Sequence, residues 1–327
     1  MASAPIADLS YRDYDGPLAP PTYRWWVIAK TTFRNSIRRK GLWWLLLFSG
    51  MYYFVMLAIL FFVDQFAANA RDGEQMFNAF IGRITWKTEF LHGWSTAQMW
   101  FLLITLLIGA GAIANDNRAN ALLVYLSKPC DKRDYLMGKW VGLFLTLLLL
   151  MSIPIALFFA YAGLSYSEYG FFSQDRTVIL RLLVMMPLGA AFYASLMIGV
   201  SSLFNQGRMA GAAMAAVYFL TAFFTKLMEG AWTVMQVDEG ARRDLSPIKN
   251  LVANLYYASI DGLQIGMAKG VLGTDGSPPF GIQPRRGEGM QFVPAPDLAT
   301  VLAIMAAISA LALWVAWKRI RAVEVVK

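Results

Sequence analysis

The chain has 327 residues, of which 57% are hydrophobic and 15% charged, with a formal net charge of +8. Soluble domains sit near half apolar and a quarter charged, so this composition excludes an ordinary water-soluble globule and points to lipid as solvent. The basic excess lies beside apolar runs, where it orients membrane segments, rather than in a patch for nucleic acid; one Cys (Cys130) and one His (His92) exclude an internal disulfide and a zinc site.

Residues 1–22 are polar and Pro-rich without an apolar signal core, and read as a flexible cytoplasmic tail. Residues 23–41 predict an amphipathic helix lying in the membrane interface. At 100° per residue Trp25, Trp26, Ala29, Phe33 and Ile37 share a stripe, with Arg24, Lys30, Arg34, Arg38 and Arg39 mostly on the rest of the surface. Six runs then have the length and hydropathy of spans, at about 42–63, 97–114, 140–163, 179–203, 209–228 and 298–317. Six spans put both termini on one side. Seventeen Lys and Arg fall in the tails and short loops of that side and five in those of the other, which predicts cytoplasmic N- and C-termini. The predicted fold is therefore an all-α polytopic membrane protein.

His92, at the outer mouth of the second span, has no second His or Cys beside it and reads as an interfacial polar residue. The charged stretch 115–139, "NDNRANALLVYLSKPCDKRDYLMGK", is predicted to be cytoplasmic. Its first half continues the second span as a helix, Pro129 interrupts it, and Asp131 caps a new helix with Asp134 in its first turn. The result is an elbow with Tyr125, Leu126 and Pro129 near the bend, flanked by Lys128, Lys132 and Arg133, which suits a protein-docking knob. Further on, Gly207, Gly211 and Ala215 recur every four residues, a face for close helix packing within the chain or across a dimer. The fifth loop, 229–297, is long and predicted to be extracytoplasmic. Ser246-Pro247 is a helix-start signal there, and apolar residues from Ile248 to Met267 recur at helical spacing. Lys249 and Asp261 make this a poor seventh span, so the expectation is a helix in, or dipping into, the outer interface. A short cytoplasmic tail, 318–327, ends the chain.

The chain lacks GxxxxGK[ST], HExxH, CxxC and GxSxG, so it carries no ATP-binding loop or catalytic motif of its own. The middles of the six predicted spans hold no Asp, Glu, Lys, Arg or His, only groups such as Thr105, Thr146, Ser152, Pro154, Pro187 and Ser195. That argues against an ion-coupled secondary carrier.

The elbow carries a resemblance. Asp116, Arg118, Leu122, Leu126, Ser127, Pro129, Arg133, Tyr135, Gly138 and Lys139 resemble the loop pattern of type-2 ABC exporter permeases, and the span arrangement is similar over nearly the whole chain. Ala119-Asn120 stands where such permeases often have Gly, and Cys130 is atypical. The resemblance implies a coupling helix at Tyr125, Leu126, Ser127, Lys128, Pro129, Asp131, Lys132 and Arg133 that fits a cleft on a separate ATPase subunit. It also implies a complex of two permeases and two ATPases in a bacterial inner membrane, with ATP and Mg on the ATPase and no cofactor or metal on this chain. The competing readings are a polytopic membrane enzyme or assembly factor, which would need clustered polar catalytic groups at one depth, and a secondary carrier.

Overall fold

In a computed structural model, the described residues are 23–69, 73–119, 131–237, 251, 254–279 and 293–320. Every regular element among them is helical. In chain order these are α1 (Arg24–Ile37), α2 (Lys40–Ser49), α3 (Met51–Asn69), α4 (Gly73–Ile81), α5 (Trp86–Gly109), α6 (Ala114–Arg118), α7 (Lys132–Ser165), α8 (Phe171–Gln174), α9 (Val178–Leu203), α10 (Gly207–Val237), α11 (Ile260–Leu272) and α12 (Leu298–Arg319). Six helices are long and apolar enough to cross a membrane: α3, α5 with its continuation to Arg118, α7, α9, α10 and α12.

The spans sort into an inner and an outer set. Helices α5, α7 and α9 are about half buried, whereas fewer than one in five residues in the apolar windows of α3, α10 and α12 are buried. The outward faces are themselves apolar, with Phe61, Phe62 and Phe66 on α3, Leu220, Phe223 and Phe224 on α10, and Leu311 and Trp314 on α12. Such a surface is stable against hydrocarbon and prone to aggregate in water. Span hydroxyls are satisfied by their own helices. Thr105, Thr146 and Ser152 donate to the carbonyls of Phe101, Gly142 and Leu148 at 2.7, 2.7 and 2.6 Å, which is how such groups are tolerated in lipid.

Helices α2 and α3 run antiparallel to α5. Arg39 bonds the Leu107 carbonyl, Phe48 stacks on Trp100 at 4.9 Å, and Tyr53 donates to the Phe90 carbonyl at 3.0 Å, so α2 and α3 descend α5 from its end to its start. The first span is broken between Ser49 and Met51. A Cβ on Gly50 would meet Pro154 of α7 at 3.2 Å, so the break lets two helices approach closely.

Three boundaries differ from the sequence reading. The second span starts at Trp86, eleven residues early, because Lys87, Glu89 and His92 find partners inside the protein rather than ending the helix. Glu89 accepts from Tyr52 at 2.5 Å, and His92 Nε2 lies 2.7 Å from the Ser277 carbonyl. The third span runs from Lys132, giving 34 residues, or roughly 50 Å at 1.5 Å per residue, against a hydrocarbon core of about 30 Å. The helix is therefore longer than the hydrocarbon core it crosses, and the charged residues Lys132, Arg133, Asp134 and Lys139 all lie in its first turns.

The fifth-loop helix departs most. The Ser246-Pro247 start lies outside the described residues, and the helical pattern is interrupted at Tyr256–Ala258 by a single 3-10 turn. Helix α11 restarts at Ser259, whose hydroxyl accepts from the Gly262 N–H at 3.0 Å, and ends at Gly273, which adopts φ +66°. Every residue from Ile260 to Lys269 is buried, against α5, α9, α10 and α12. Thirteen residues are too few to cross, so α11 is a short helix inserted among the spans rather than one resting on their surface.

Candidate functional site: the base of the charged elbow

The second span enters the charged stretch through a kink, and the helix expected beyond Ala119 lies outside the described residues. Helix α5 ends at Gly109, residues Ala110–Ile113 form a tight turn, and α6 restarts at Ala114. Helix ends leave orphan carbonyls and N–H groups, and here one side chain collects them. Ser201 of α9 donates to the Ala110 carbonyl at 2.9 Å and accepts from the N–H groups of Ile113 and Ala114, both at 3.0 Å. The kink is thus built by α9. Asn115 Oδ1 accepts from the Gly207 N–H at 3.2 Å and Asn117 Nδ2 donates to the Phe204 carbonyl at 3.4 Å, which ties α6 to the turn between α9 and α10.

Asp116 closes the other side. Its Oδ2 accepts from the buried Tyr135 hydroxyl at 2.7 Å and pairs with Lys139 Nζ at 2.7 Å, both on α7. Lys139 also lies 5.6 Å from the Tyr135 ring. An ion pair that is largely buried and has a second donor is worth more than an exposed one. Helix α7 begins directly after Asp131, which holds extended backbone at the N-cap, with Asp134 in the first turn. Lys132 Nζ sits 4.6 Å above the ring of Trp317, near the end of α12. Arg133 is exposed, and no carboxylate among the described residues lies within 4 Å of it. Tyr125, Leu126, Ser127, Lys128 and Pro129 lie outside the described residues, as does Cys130.

The predicted small-residue face lies at this same base. A Cβ on Gly207 would fall 3.0 Å from Gly111 Cα, and one on Gly211 would fall 3.4 Å from Ala110 Cβ, so both glycines seat α10 against the kink within one chain; Ala215 is half-buried. The elbow base therefore touches α5, α6, α7, α9, α10 and α12.

Sequence reasoning missed the polar interior at the opposite end of the bundle. The buried polar groups lie outside the span middles: Glu89 is fully buried in the first turn of α5, and α11, which is not a span, brings in Asp261, Gln264 and Lys269. Gln264 donates to the Gly189 carbonyl at 3.1 Å, Trp94 donates to the Gln264 carbonyl at 3.2 Å, and Lys269 donates to the Val293 carbonyl at 2.6 Å. Tyr193 donates to Gln98 Oε1 at 3.0 Å. The available signal was the polar spacing Asp261, Gln264 and Lys269 in an otherwise apolar helix. Among the described residues no group of three His, Cys, Asp or Glu is placed to hold a metal ion.

A search among curated proteins finds no match. A family model described as ABC-2 family transporter protein matches residues 26–315, from α1 through nearly the whole of α12. That match, over a bundle of six apolar helices whose charged loop is anchored to five of them, makes this chain a membrane-embedded permease of the ABC-2 transporter family.

Proposed function

We propose that the chain forms the translocation pathway of an ATP-driven exporter in a bacterial inner membrane, paired with a second permease copy and coupled at the elbow to a separate ATPase subunit. The observation that carries this reading is the anchoring of Asp116 and Ser201, because a loop whose base is bonded to α7 and α9 can pass a push to several spans at once. The excess length of α7 supports it, since first turns that project from the bilayer put Lys132 and Arg133 where a soluble subunit can reach. The elbow side is cytoplasmic by the distribution of Lys and Arg. Arg133, exposed and without a carboxylate among the described residues, is a ready contact for an acidic cleft.

Affinity purification of the full chain from its native membrane tests the coupling. A protein bearing GxxxxGK[ST] co-purifies with the wild type, and Arg133→Glu or Pro129→Glu lowers its recovery at least tenfold without reducing membrane insertion. Recovery of the chain with no such protein removes the proposal; equal recovery with both variants moves the docking site away from the elbow.

A further inference from the structure

Beyond the motor contact, we infer that the groove between α1 and α7 is a seat for one anionic phospholipid, with an acyl chain between the helices and the headgroup phosphate at Lys30. The two helices meet where Gly138 and Gly142 of α7 face the backbone of Trp25 and Ala29. They then part, leaving a groove of about 620 Å³, within the range of roughly 300–1,000 Å³ typical of small-molecule sites. Its walls are apolar: Trp26 and Phe33 from α1, Leu145, Leu148 and Leu149 from α7. The one hydroxyl on the α7 wall, Ser152, is spent on the Leu148 carbonyl at 2.6 Å. The groove continues onto the outward flank of α7, where Leu149 and Leu157 are exposed on one stripe, so a bilayer lipid enters sideways without crossing a polar barrier.

Charge selects the headgroup. Among the described residues Lys30 is the only charged one lining the groove, and Arg34 follows it one turn on, with Arg38 beyond. Helix α1 contains no acidic residue, and no carboxylate among the described residues lies within 4 Å of any of these three. An amphipathic helix with a cationic row beside an apolar groove matches a phosphodiester joined to an acyl chain. A protein partner would not require a slot open along the lipid-facing flank.

Native mass spectrometry of the full chain in detergent, titrated separately with palmitoyl-oleoyl phosphatidylglycerol, the matching phosphatidylcholine and sn-glycerol 3-phosphate, tests this. One phosphatidylglycerol is retained per chain, about fivefold more strongly than phosphatidylcholine, the discrimination expected of one cation at the headgroup. Glycerol phosphate alone does not bind. Leu149→Trp, which fills the groove, removes one lipid adduct of either kind, and Lys30→Ala, at an exposed position that leaves the fold intact, erases the preference while keeping phosphatidylcholine retention. Equal retention of the two lipids by the wild type, binding of glycerol phosphate alone, or adduct counts unmoved by both variants overturns the proposal.

Discussion

Asp116 and Asp175 show how much of a residue's work depends on what folding brings beside it. Asp116 belongs to the loop pattern visible in the sequence, but its partners Tyr135 and Lys139 lie 19 and 23 residues away, across the connection. Nothing in local spacing reveals that pairing. Asp175, between α8 and α9, drew no notice in the sequence, yet its carboxylate joins Lys87 at 2.9 Å and Arg181 at 3.1 Å and accepts from the Thr177 N–H and hydroxyl at 2.8 and 2.7 Å. Burial pushes its pKa up, and the bonds from Thr177 and Lys87 outweigh that and hold it at about 2. The folded value lies below the unfolded value near 3.9, so the unfolded chain binds more protons in that range. The stabilisation is complete above about pH 4 and is lost as pH falls toward 2. Melting temperature in detergent should therefore drop more steeply between pH 5 and 3 for the wild type than for Asp175→Asn, which starts lower and stays flatter. Parallel curves would show that this ion cluster contributes nothing to stability.

At the level of the element, hydropathy located all six spans because lipid demands long apolar helices, and it misplaced the ends where polar residues are paid for internally, as at Glu89 and Ser201. It also missed the close seam between α1 and α7. The small-residue repeat at Gly207 and Gly211 was legible, but Gly138 and Gly142 have the same four-residue spacing and sit in a charged-to-apolar transition that reads as a span end. In the structure a Cβ on Gly142 would fall 2.7 Å from the Ala29 carbonyl oxygen and 2.6 Å from Thr32 Cβ, distances real side chains do not reach. Helix α1 is therefore held against α7 by van der Waals contact that only glycine permits. Gly142→Leu should push α1 off α7, at a cost of about 1–3 kcal/mol typical of overpacking. Limited proteolysis would show it, with cleavage in α1 accelerated while α9 and α12 remain protected. Unchanged protection of α1 would mean the two helices separate freely.

For the whole molecule the question is why one end of the bundle is latched and the other packed. At the opposite end an aromatic cluster, Trp86, Phe90, Phe158, Tyr166 and Phe171 meeting at centroid distances of 5.1–6.4 Å, packs beside the polar contacts described above. These ring contacts prefer edge-to-face or offset geometry and resist separation of the helices that carry them. At the elbow end the contacts are directional hydrogen bonds to one five-residue helix, α6, which is bonded to α7 through Asp116 and to α9 through Ser201. On the proposed coupling, α6, bonded on two sides, would act as a lever between the spans it joins, dividing energy delivered by the ATPase between α7 and α9 in a ratio those bonds set. Removing one bond should change that division more than it changes stability. In the reconstituted complex, Asp116→Ala should leave nucleotide hydrolysis within about twofold of the wild type while the α7-to-α10 distance change on ATP addition, read between spin labels, falls by more than half. Tyr166→Phe supplies the comparison, because it removes a 3.0 Å bond to Asp64 at the packed end and should lower stability by about 1 kcal/mol without altering that distance change. If both variants reduced the motion equally, transmission would belong to the stability of the bundle at large, and α6 would be only a turn between two spans.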